Sequence, residues 1–548
     1  MLRIYFKIAW RNLVKGKVHS LINISGLSIG MAVALVIALW ISDELSFDKY
    51  HQHYNRIAQV MQHQDFSGNI HTDKAIPYPL RAKLQNSYGN NFESLVLSSW
   101  TNPHTLSYKE KVLSGTGNFM EPGAAEMLTL KMLGGSRTGL KDPQSILLSH
   151  ALALSMFNQA DAVGKIIKLD SVNLKVTGVY EDLPYNSSFR NVTFIAPWSL
   201  YANDPEVKQS EDDWNQNAYQ LFAMISGHAN MAQVSARIKD AKLSSMGKDG
   251  ADLKPEIFLH PMSRWHLYES FENGINTGGS VLYVWLFGII GAFVLLLACI
   301  NFMNLSTARS EKRARETGVR KVLGSSRKQL IKQFFSESLL IAFFSFALSL
   351  LLVMLTLPFF NTVADKKMTI LWSSPFFWLY SLLFILMTGL IAGSYPALYL
   401  SSFRPVKVLK GSLHAGRLAS IPRKVLVVLQ FSVSVILIIG TIVVYRQVQY
   451  AKNRPIGYNR NGLLLIRPNS TEFHDHFTAL RNDLLQTGLI GDVAESGNTI
   501  TRGGRTEGGF DWKGKNPTLR DEFASFAVTY DYGKVIGWQI SAGRDFSP

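Results

Sequence analysis

Residues 21–41, LINISGLSIGMAVALVIALWI, form an apolar run that carries no Asp, Glu, Lys or Arg anywhere between Lys17 and Asp43. A helix needs about 20 consecutive apolar residues to cross the hydrocarbon core of a bilayer. The run is too long for the apolar part of a signal peptide, and no small-residue cleavage site follows it. It therefore predicts a membrane-spanning helix near the N-terminus.

Four further apolar runs of similar length follow along the chain. We predict transmembrane helices at residues 19–42, 281–303, 337–360, 376–400 and 425–446. One such run could also be a buried helix of a soluble protein, but five of them indicate a membrane bundle. The mean hydropathy of the 548 residues is +0.07, which leaves room for water-soluble regions.

The formal net charge of +16 is concentrated in three short segments. Residues 1–18, 304–336 and 401–424 carry +5, +7 and +6, and the rest of the chain nets −2. All three segments flank predicted spans at alternate ends, as basic residues do on the cytoplasmic side of membranes. This distribution places the N-terminus in the cytoplasm and removes the case for nucleic-acid binding.

The same charge pattern predicts the side of each connecting segment. Residues 304–336 and 401–424 are expected in the cytoplasm, and residues 43–280 and 447–548 outside it. We predict a multi-pass protein of a bacterial cell inner membrane with a large periplasmic domain. The single cysteine, Cys299, lies inside an apolar run, which excludes disulfide bonds within the chain.

Residues 1–18 precede the first predicted span and are amphipathic. Leu2, Tyr5, Phe6, Ala9 and Leu13 share one helical face, whereas Arg3, Lys7 and Arg11 lie elsewhere. This arrangement predicts a cytoplasmic helix that lies on the inner membrane surface before the chain turns into the bilayer.

Residues 43–280 are predicted to fold as an α+β domain. Helical apolar spacing occurs at residues 74–87, 144–157 and 229–244. Residues 164–181, GKIIKLDSVNLKVTGVYE, have the pattern of two paired strands with a turn at residues 170–173.

An internal echo links residues 447–548 to this first soluble domain. MLTLKMLGGSR at 127–137 resembles VIGWQISAGR at 535–544, and a basic stretch precedes both the first and the fifth predicted span. The alternative is a chance match of two short strings. We interpret the echo as a duplicated plan of one span, one outer domain and three spans, with the second outer domain incomplete in this sequence.

Residues 311–324, EKRARETGVRKVLG, are the most distinctive stretch of the chain. By spacing alone, i,i+4 pairs such as Glu316 with Arg320 indicate a solvated charged helix, each pair contributing about a few tenths of a kcal/mol. The stretch also closely resembles the cytoplasmic signature Arg-x-x-Glu-x-Gly-x-Arg-Lys-x-x-Gly of FtsX-like, MacB-type ABC transporter permeases. The matching residues are Arg313, Glu316, Gly318, Arg320, Lys321 and Gly324.

Other parts of the chain resemble the same family. Residues 395–411 resemble its second cytoplasmic segment, in which Pro396, Pro405 and Val406 fall on the usual pattern. Residues 162–189 resemble its MacB-like periplasmic core domain. The resemblance therefore implies a transmembrane helical bundle with an α+β MacB-like periplasmic domain and part of a second one.

The resemblance further implies a coupling helix that docks into a groove on a cytoplasmic ATPase. The implied ATPase-coupling residues are Arg313, Arg315, Glu316, Gly318, Arg320, Lys321, Gly324, Arg404, Pro405 and Val406. Arg315 and Arg320 would reach acidic groups of the partner. No Gly-x-x-x-x-Gly-Lys-Ser/Thr occurs in the sequence. We therefore expect that the protein is not an enzyme, that it holds no cofactor, and that ATP is bound by a partner subunit.

Gly26-x-x-x-Gly30 places two small residues on one face of the first span. Packing within the chain and contact in a dimer or pseudo-dimer are both consistent with it. The apolar runs contain no charge, which argues against an ion or proton path through them. His51 and His53 are interpreted as surface residues, and neither a metal site nor a catalytic residue is predicted.

These features predict the permease subunit of an ABC-type export or efflux system that transmits the motion of a separate ATPase to periplasmic domains. The alternative is a non-transporting transmitter that activates a periplasmic partner such as a cell-wall hydrolase. The expected partners are the ATPase, membrane lipid, a second copy or a sister permease, and a periplasmic or outer-membrane protein.

Overall fold

Long apolar helices account for much of the chain. Among the residues that the structure describes, five helices are long and apolar enough to cross a membrane. They are span 1 (Lys17–Glu44), span 2 (Val281–Ala308), span 3 (Arg327–Ala364), span 4 (Pro375–Ser401) and span 5 (Ile421–Asn453). The apolar core of each predicted span falls within one of them.

The structure is a computed structural model that describes residues 2–158, 161–308, 317–402, 421–467, 472–501, 505–516 and 522–547. The chain divides into two units. The helical unit comprises Met1–Ser46 and Val281–Asn453, and the sheet unit comprises Phe47–Ser280 and Arg454–Pro548.

Local sequence signals set several helix ends in the helical unit. Gly16 separates the amphipathic helix Leu2–Lys15 from span 1. Span 3 begins with a capping box, in which the Ser326 hydroxyl accepts from the backbone N–H of Gln329 and the Gln329 side chain accepts from the backbone N–H of Ser326. Span 4 begins at Pro375, a residue whose fixed φ suits the first turn of a helix.

Apolar side chains and small residues hold the spans together. Leu27, Met31, Phe302, Ile341 and Ala392 belong to one buried cluster contributed by spans 1 to 4. Glycines of span 4 lie where that helix packs closely against span 3, because a Cβ at Gly389 would come within 2.7 Å of the Leu339 side chain. Close approach of this kind replaces the hydrophobic effect as the source of helix association in lipid.

One mixed sheet dominates the sheet unit. Within the described ranges it has thirteen strands in the order β11-β8-β10-β9-β5-β6-β4-β12-β1-β13, with β2 on β1, β3 on β12 and β7 on β10. The strands are β1 Ile57–Phe66, β2 Asn69–Asp73, β3 Ile76–Pro77, β4 Phe92–Ser98, β5 Asn102–Tyr108, β6 Lys111–Met120, β7 Met132–Gly135, β8 Ser145–Ser149, β9 Ile166–Leu169, β10 Val172–Tyr180, β11 Phe194–Pro197, β12 Asn217–Ile225 and β13 Glu256–Pro261. Most pairs are antiparallel, whereas β8 with β10 and β6 with β11 are parallel.

Short helices and hairpins complete the sheet unit. The α-helices are Leu80–Tyr88, Ala124–Met127, His150–Phe157, Trp198–Tyr201, Pro205–Gln209, Met231–Ile238, Lys248–Ala251, Glu472–Asp475, Phe477–Gln486 and Tyr532–Ile536. The hairpins pair β14 (Ser270–Glu272) with β15 (Ile275–Gly278), and β16 (Arg505–Gly508) with β17 (Glu522–Ser525). Three hydrophobic clusters of described residues lie wholly between Ile57 and Met262, so that this part of the unit has its own core.

The predicted strand pair at residues 164–181 is confirmed. Strands β9 and β10 are antiparallel, with Leu169 opposite Val172 across the turn. The prediction of one helix over residues 144–157 is wrong in its first part, because β8 precedes the helix His150–Phe157. A short apolar run does not distinguish a buried strand from a buried helix by periodicity alone.

The two echoing stretches both begin at the end of a short helix. The first begins at Met127, the last residue of Ala124–Met127, and the second begins at Val535, within Tyr532–Ile536. The first stretch contains β7, whereas the described residues after Gly537 form no regular strand. The duplicated plan stays a prediction.

Candidate coupling site

The segment between spans 2 and 3 is described from Thr317 onward. Residues 317–322 form the end of a helix, and the chain then turns at Gly324 into span 3. Of the predicted coupling residues, the structure describes Gly318, Arg320, Lys321 and Gly324. Arg313, Arg315, Glu316, Arg404, Pro405 and Val406 lie outside the described residues.

Gly324 ends this helix in a backbone conformation that favours glycine. Its φ is +96°, a region that side chains with a Cβ rarely adopt. The backbone N–H of Ser325 donates to Arg320 O at 3.0 Å, and that of Gly324 donates to Lys321 O at 3.1 Å. These two bonds form a Schellman motif, which satisfies the last carbonyl groups of the helix and reverses the chain.

Two predicted coupling cations contact other helices of the same chain. The Arg320 guanidinium donates to Gln333 Oε1 of span 3 at 2.5 Å. The Lys321 ammonium donates to the backbone oxygen of Ser401, at the end of span 4, at 2.7 Å. Burial and, to a smaller extent, the positive charge of the nearby Arg327 lower the pKa of Lys321. Arg320 and Lys321 therefore anchor the segment to spans 3 and 4, whereas the sequence had suggested that Arg320 reaches a partner.

An apolar face on the same helix was missed by the sequence reasoning. Val319, Val322 and Leu323 are 47%, 64% and 80% exposed. Residues spaced i, i+3 and i+4 lie on one side of a helix. This spacing is present in the sequence. The prediction for this segment rested instead on its many charged residues. These three residues define an exposed apolar face, a kind of surface that is suited to contact another protein.

A small polar cavity of about 20 Å³ lies behind this helix. Asn12, Thr317, Arg320, Gln333 and Glu337 contribute its polar lining. Glu337 is only 6% exposed, although it belongs to span 3. The absence of charge therefore holds from Leu339 onward but not for the whole buried length of this helix.

The two glycines of span 1 face span 2 of the same chain. A Cβ at Gly30 would lie 2.4 Å from the Cβ of Ala298, and one at Gly26 would lie 3.4 Å from Asn301 Nδ2. Both glycines are thus used in packing within the chain, the first of the two alternatives that the sequence left open.

His51 corrects one sequence interpretation, because it is buried in the sheet unit and not a surface residue. Its Nδ1 lies 2.7 Å from Leu128 O, and its Nε2 lies 3.2 Å from Ser187 Oγ. Burial lowers the pKa of His51, so that it is neutral at pH 7. Among the described residues, no group of three or more His, Cys, Asp or Glu could hold a metal ion.

Comparison with known families matches two parts of the chain. Residues 20–241 match the MacB-like periplasmic core domain, and residues 288–405 match the FtsX-like permease C-terminal domain. The first match contains most of the large sheet, and the second contains the coupling segment. Together they include residues of both units of the structure.

Several named bacterial proteins are similar to the chain. The chain is 20% identical over 433 residues to the uncharacterized ABC transporter permease YvrN of Bacillus subtilis, covering 74% of this chain and 99% of YvrN. It is 22% identical over 328 residues to the uncharacterized ABC transporter permease YknZ of the same species, covering 58% and 75%. It is 21% identical to the macrolide export ATP-binding/permease protein MacB of Campylobacter jejuni, covering 45% of this chain and 35% of MacB.

Two solved structures are similar to part of the chain. A domain of a putative permease from Porphyromonas gingivalis is 16% identical with a TM-score of 0.34, covering 43% of this chain and 98% of that domain. The periplasmic region of MacB from Actinobacillus actinomycetemcomitans is 12% identical with a TM-score of 0.28, covering 38% and 91%.

The fold and these matches define a multi-span membrane permease with a large soluble domain inserted between its first two spans. Within that class, the chain belongs to the FtsX/MacB-type ABC transporter permeases.

Proposed function

We propose that this permease passes the ATP-driven motion of a separate cytoplasmic ATPase to its sheet unit, as part of an export or extraction system. The observation that carries the proposal is the helix end at 317–323. It presents an exposed apolar face while its cations are bound to spans 3 and 4. A partner that contacts the apolar face can displace such a segment. The bound cations would then transmit the displacement to spans 3 and 4.

The anchoring contacts give the segment its mechanical role. Arg320 contacts span 3 through Gln333, and Lys321 contacts span 4 through Ser401. Arg327 Nε, at the start of span 3, lies 3.5 Å from the hydroxyl of Ser401 and forms a weaker contact with the end of span 4. A helix held at two points on two spans moves with those spans, because each charge-assisted hydrogen bond resists separation.

The apolar face supplies the docking surface for the ATPase. Val319, Val322 and Leu323 offer branched side chains that a groove on the partner would bury. The predicted cations Arg313 and Arg315 stand earlier in the same segment and would meet acidic groups around that groove. Burial of the apolar groups supplies affinity, and the charges favour the correct partner and orientation.

The proposed orientation follows from the basic segments. The +7 of residues 304–336 and the +6 of residues 401–424 support a coupling segment in the cytoplasm, and with it a sheet unit in the periplasm of an inner-membrane protein. ATP would be bound and hydrolysed by the partner, because the sequence carries no phosphate-binding loop of its own.

A charge placed on the apolar face tests the docking role. We expect Leu323→Glu to reduce recovery of the ATP-binding-cassette subunit that co-purifies with the permease from its own membranes by about tenfold, since a buried carboxylate would oppose docking. Leu489→Glu is the matched control, because Leu489 is 88% exposed and lies in the sheet unit. Wild-type recovery with both Leu323→Glu and Val322→Glu would overturn the docking role.

A further inference from the structure

A buried ion-pair cluster closes one end of the helical unit. Lys366 Nζ lies 2.9 Å from Asp43 Oδ2 and 2.9 Å from Glu44 Oε1. The side chains of Lys366, Asp43 and Glu44 are 11%, 6% and 8% exposed. These three residues, called the latch below, join the hairpin between spans 3 and 4 to the last residues of span 1.

The backbone around Lys366 is fixed by its own contacts. Asn361 Nδ2 donates to Met368 O at 2.9 Å, and Met368 N–H donates to Asn361 Oδ1 at 3.1 Å. The backbone N–H of Lys366 donates to Asn361 O at 2.9 Å. Met368 is buried in a cluster with Ala32 of span 1 and Val353 of span 3. The hairpin is therefore folded onto span 1 by packing as well as by charge.

The electrostatics of the latch keep its lysine charged. Burial alone would lower the pKa of Lys366, but hydrogen bonds and attraction from Glu44 and Asp43 more than offset this and raise the pKa above its ordinary value. The ammonium group consequently stays charged at physiological pH. A buried charge is tolerated when it is paired and is strongly disfavoured when its partner is removed.

The latch stands where the chain leaves one unit and begins the other. Glu44 is the last residue of span 1, and the sheet unit begins at Phe47. Residues 47–66 follow the end of span 1 directly along the chain, so motion of that end is passed on to them. If the hairpin is fixed to Asp43 and Glu44, the end of span 1 moves together with spans 3 and 4.

We propose that Lys366 is a positioning residue that locks the end of span 1 to the hairpin between spans 3 and 4, so that bundle motion reaches the start of the sheet unit. The proposal rests on the transmitting function proposed above. It predicts that loss of the latch leaves the ATPase bound but weakens transmission.

Hydrogen exchange in the full-length permease, purified with its ATPase into lipid nanodiscs, tests the latch. In Lys366→Met we expect the amides of residues 39–46 and 366–370 to exchange about tenfold faster than in the wild type, because opening of this end becomes easier. Lys366→Arg should restore slow exchange. Lys367→Met is the matched control, because Lys367 is the exposed neighbour. Wild-type exchange in Lys366→Met would overturn the latch.

A second readout separates the latch from a merely structural contact. ATP should change the exchange of residues 47–66 in the wild type and in Lys367→Met, and this change should be lost in Lys366→Met while the ATPase still co-purifies. If Lys366→Met does not insert, Asp43→Asn, which leaves a one-to-one pair, should show a partial loss. An ATP-induced change that is equal in all variants would contradict the latch. No ATP-induced change in the wild type would instead contradict the proposed function.

Discussion

Lys242 is a buried basic residue whose ionisation affects the stability of the sheet unit. It is fully buried in the sheet unit, where its ammonium group donates to Gln62 Oε1 and to Asn217 Oδ1, each at 2.7 Å. Burial lowers the pKa of Lys242 to about 8, against a smaller opposing effect of Asp73 and Asp213. Two neutral amide oxygens satisfy its hydrogen bonds without compensating its charge.

This environment predicts a stability that increases at alkaline pH. Between about pH 8 and pH 10.5, unfolded Lys242 binds a proton that the folded state does not, so the free energy of unfolding rises with pH. The gain attributable to Lys242 is up to about 3 kcal/mol. Urea unfolding of the fragment 47–280, which contains its own core clusters, should show this rise.

Lys242→Met is the control for the rise in the free energy of unfolding at alkaline pH, because it keeps a long side chain and removes the titrating group. The difference between the wild type and this variant isolates Lys242 from the tyrosines and other lysines that titrate in the same range. An equal pH dependence for both proteins would show that Lys242 is charged throughout.

At the scale of elements, the contact between spans 1 and 2 depends on one glycine. A Cβ at Gly30 would lie 2.4 Å from that of Ala298, closer than two carbon atoms can approach. Gly30→Ala should therefore lower the melting temperature of the permease in detergent, since overpacking costs about 1–3 kcal/mol. Gly30→Ala combined with Ala298→Gly should recover most of the loss.

Gly26→Ala is the matched control for this contact. The added Cβ would meet only the side-chain nitrogen of Asn301 at 3.4 Å, an ordinary van der Waals distance. We expect a melting temperature within a degree or two of the wild type. Equal losses for Gly26→Ala and Gly30→Ala would contradict the claim that the close packing of Gly30 against span 2 governs the effect, because Ala has a higher helix propensity than Gly at both positions.

Much of the helical unit could be predicted from hydropathy, because an uninterrupted apolar run has few alternatives to a spanning helix. The start of span 3 could not be predicted from hydropathy. The helix begins at Arg327, ten residues before the predicted span, and its first turns contain the polar residues Gln333 and Glu337, which are buried. Such burial depends on tertiary contacts that hydropathy does not contain.

The sequence indicated the segment proposed for coupling but not its contacts. The charged signature and the exposed apolar face belong to the same segment of the chain. The partners of its cations were not accessible to sequence reasoning, because Ser401 lies 80 residues away from Lys321 along the chain. Sequence alone also could not show that Lys366 reaches Asp43, because both charges stand at the ends of apolar runs and look like ordinary boundary residues.

At the scale of the whole molecule, the basic segments, the coupling helix and the latch form one proposed route from the cytoplasm to the sheet unit. Pairing with a second copy or with a sister permease, and the identity of the molecule bound by the sheet unit, stay predictions. Binding of an amphiphile or lipoprotein would favour export, and binding of a soluble periplasmic protein would favour signalling.

The distance between two spin labels tests the central claim most directly. Cys299 is the single cysteine, so Cys299→Ala provides a background for labels at the exposed sites Lys367→Cys and Glu110→Cys, one in each unit. With the ATPase bound in nanodiscs, we predict that ATP shifts the distance distribution by several ångströms and that hydrolysis reverses the shift. An unchanged distribution while the bound ATPase turns over would contradict transmission of motion through this permease.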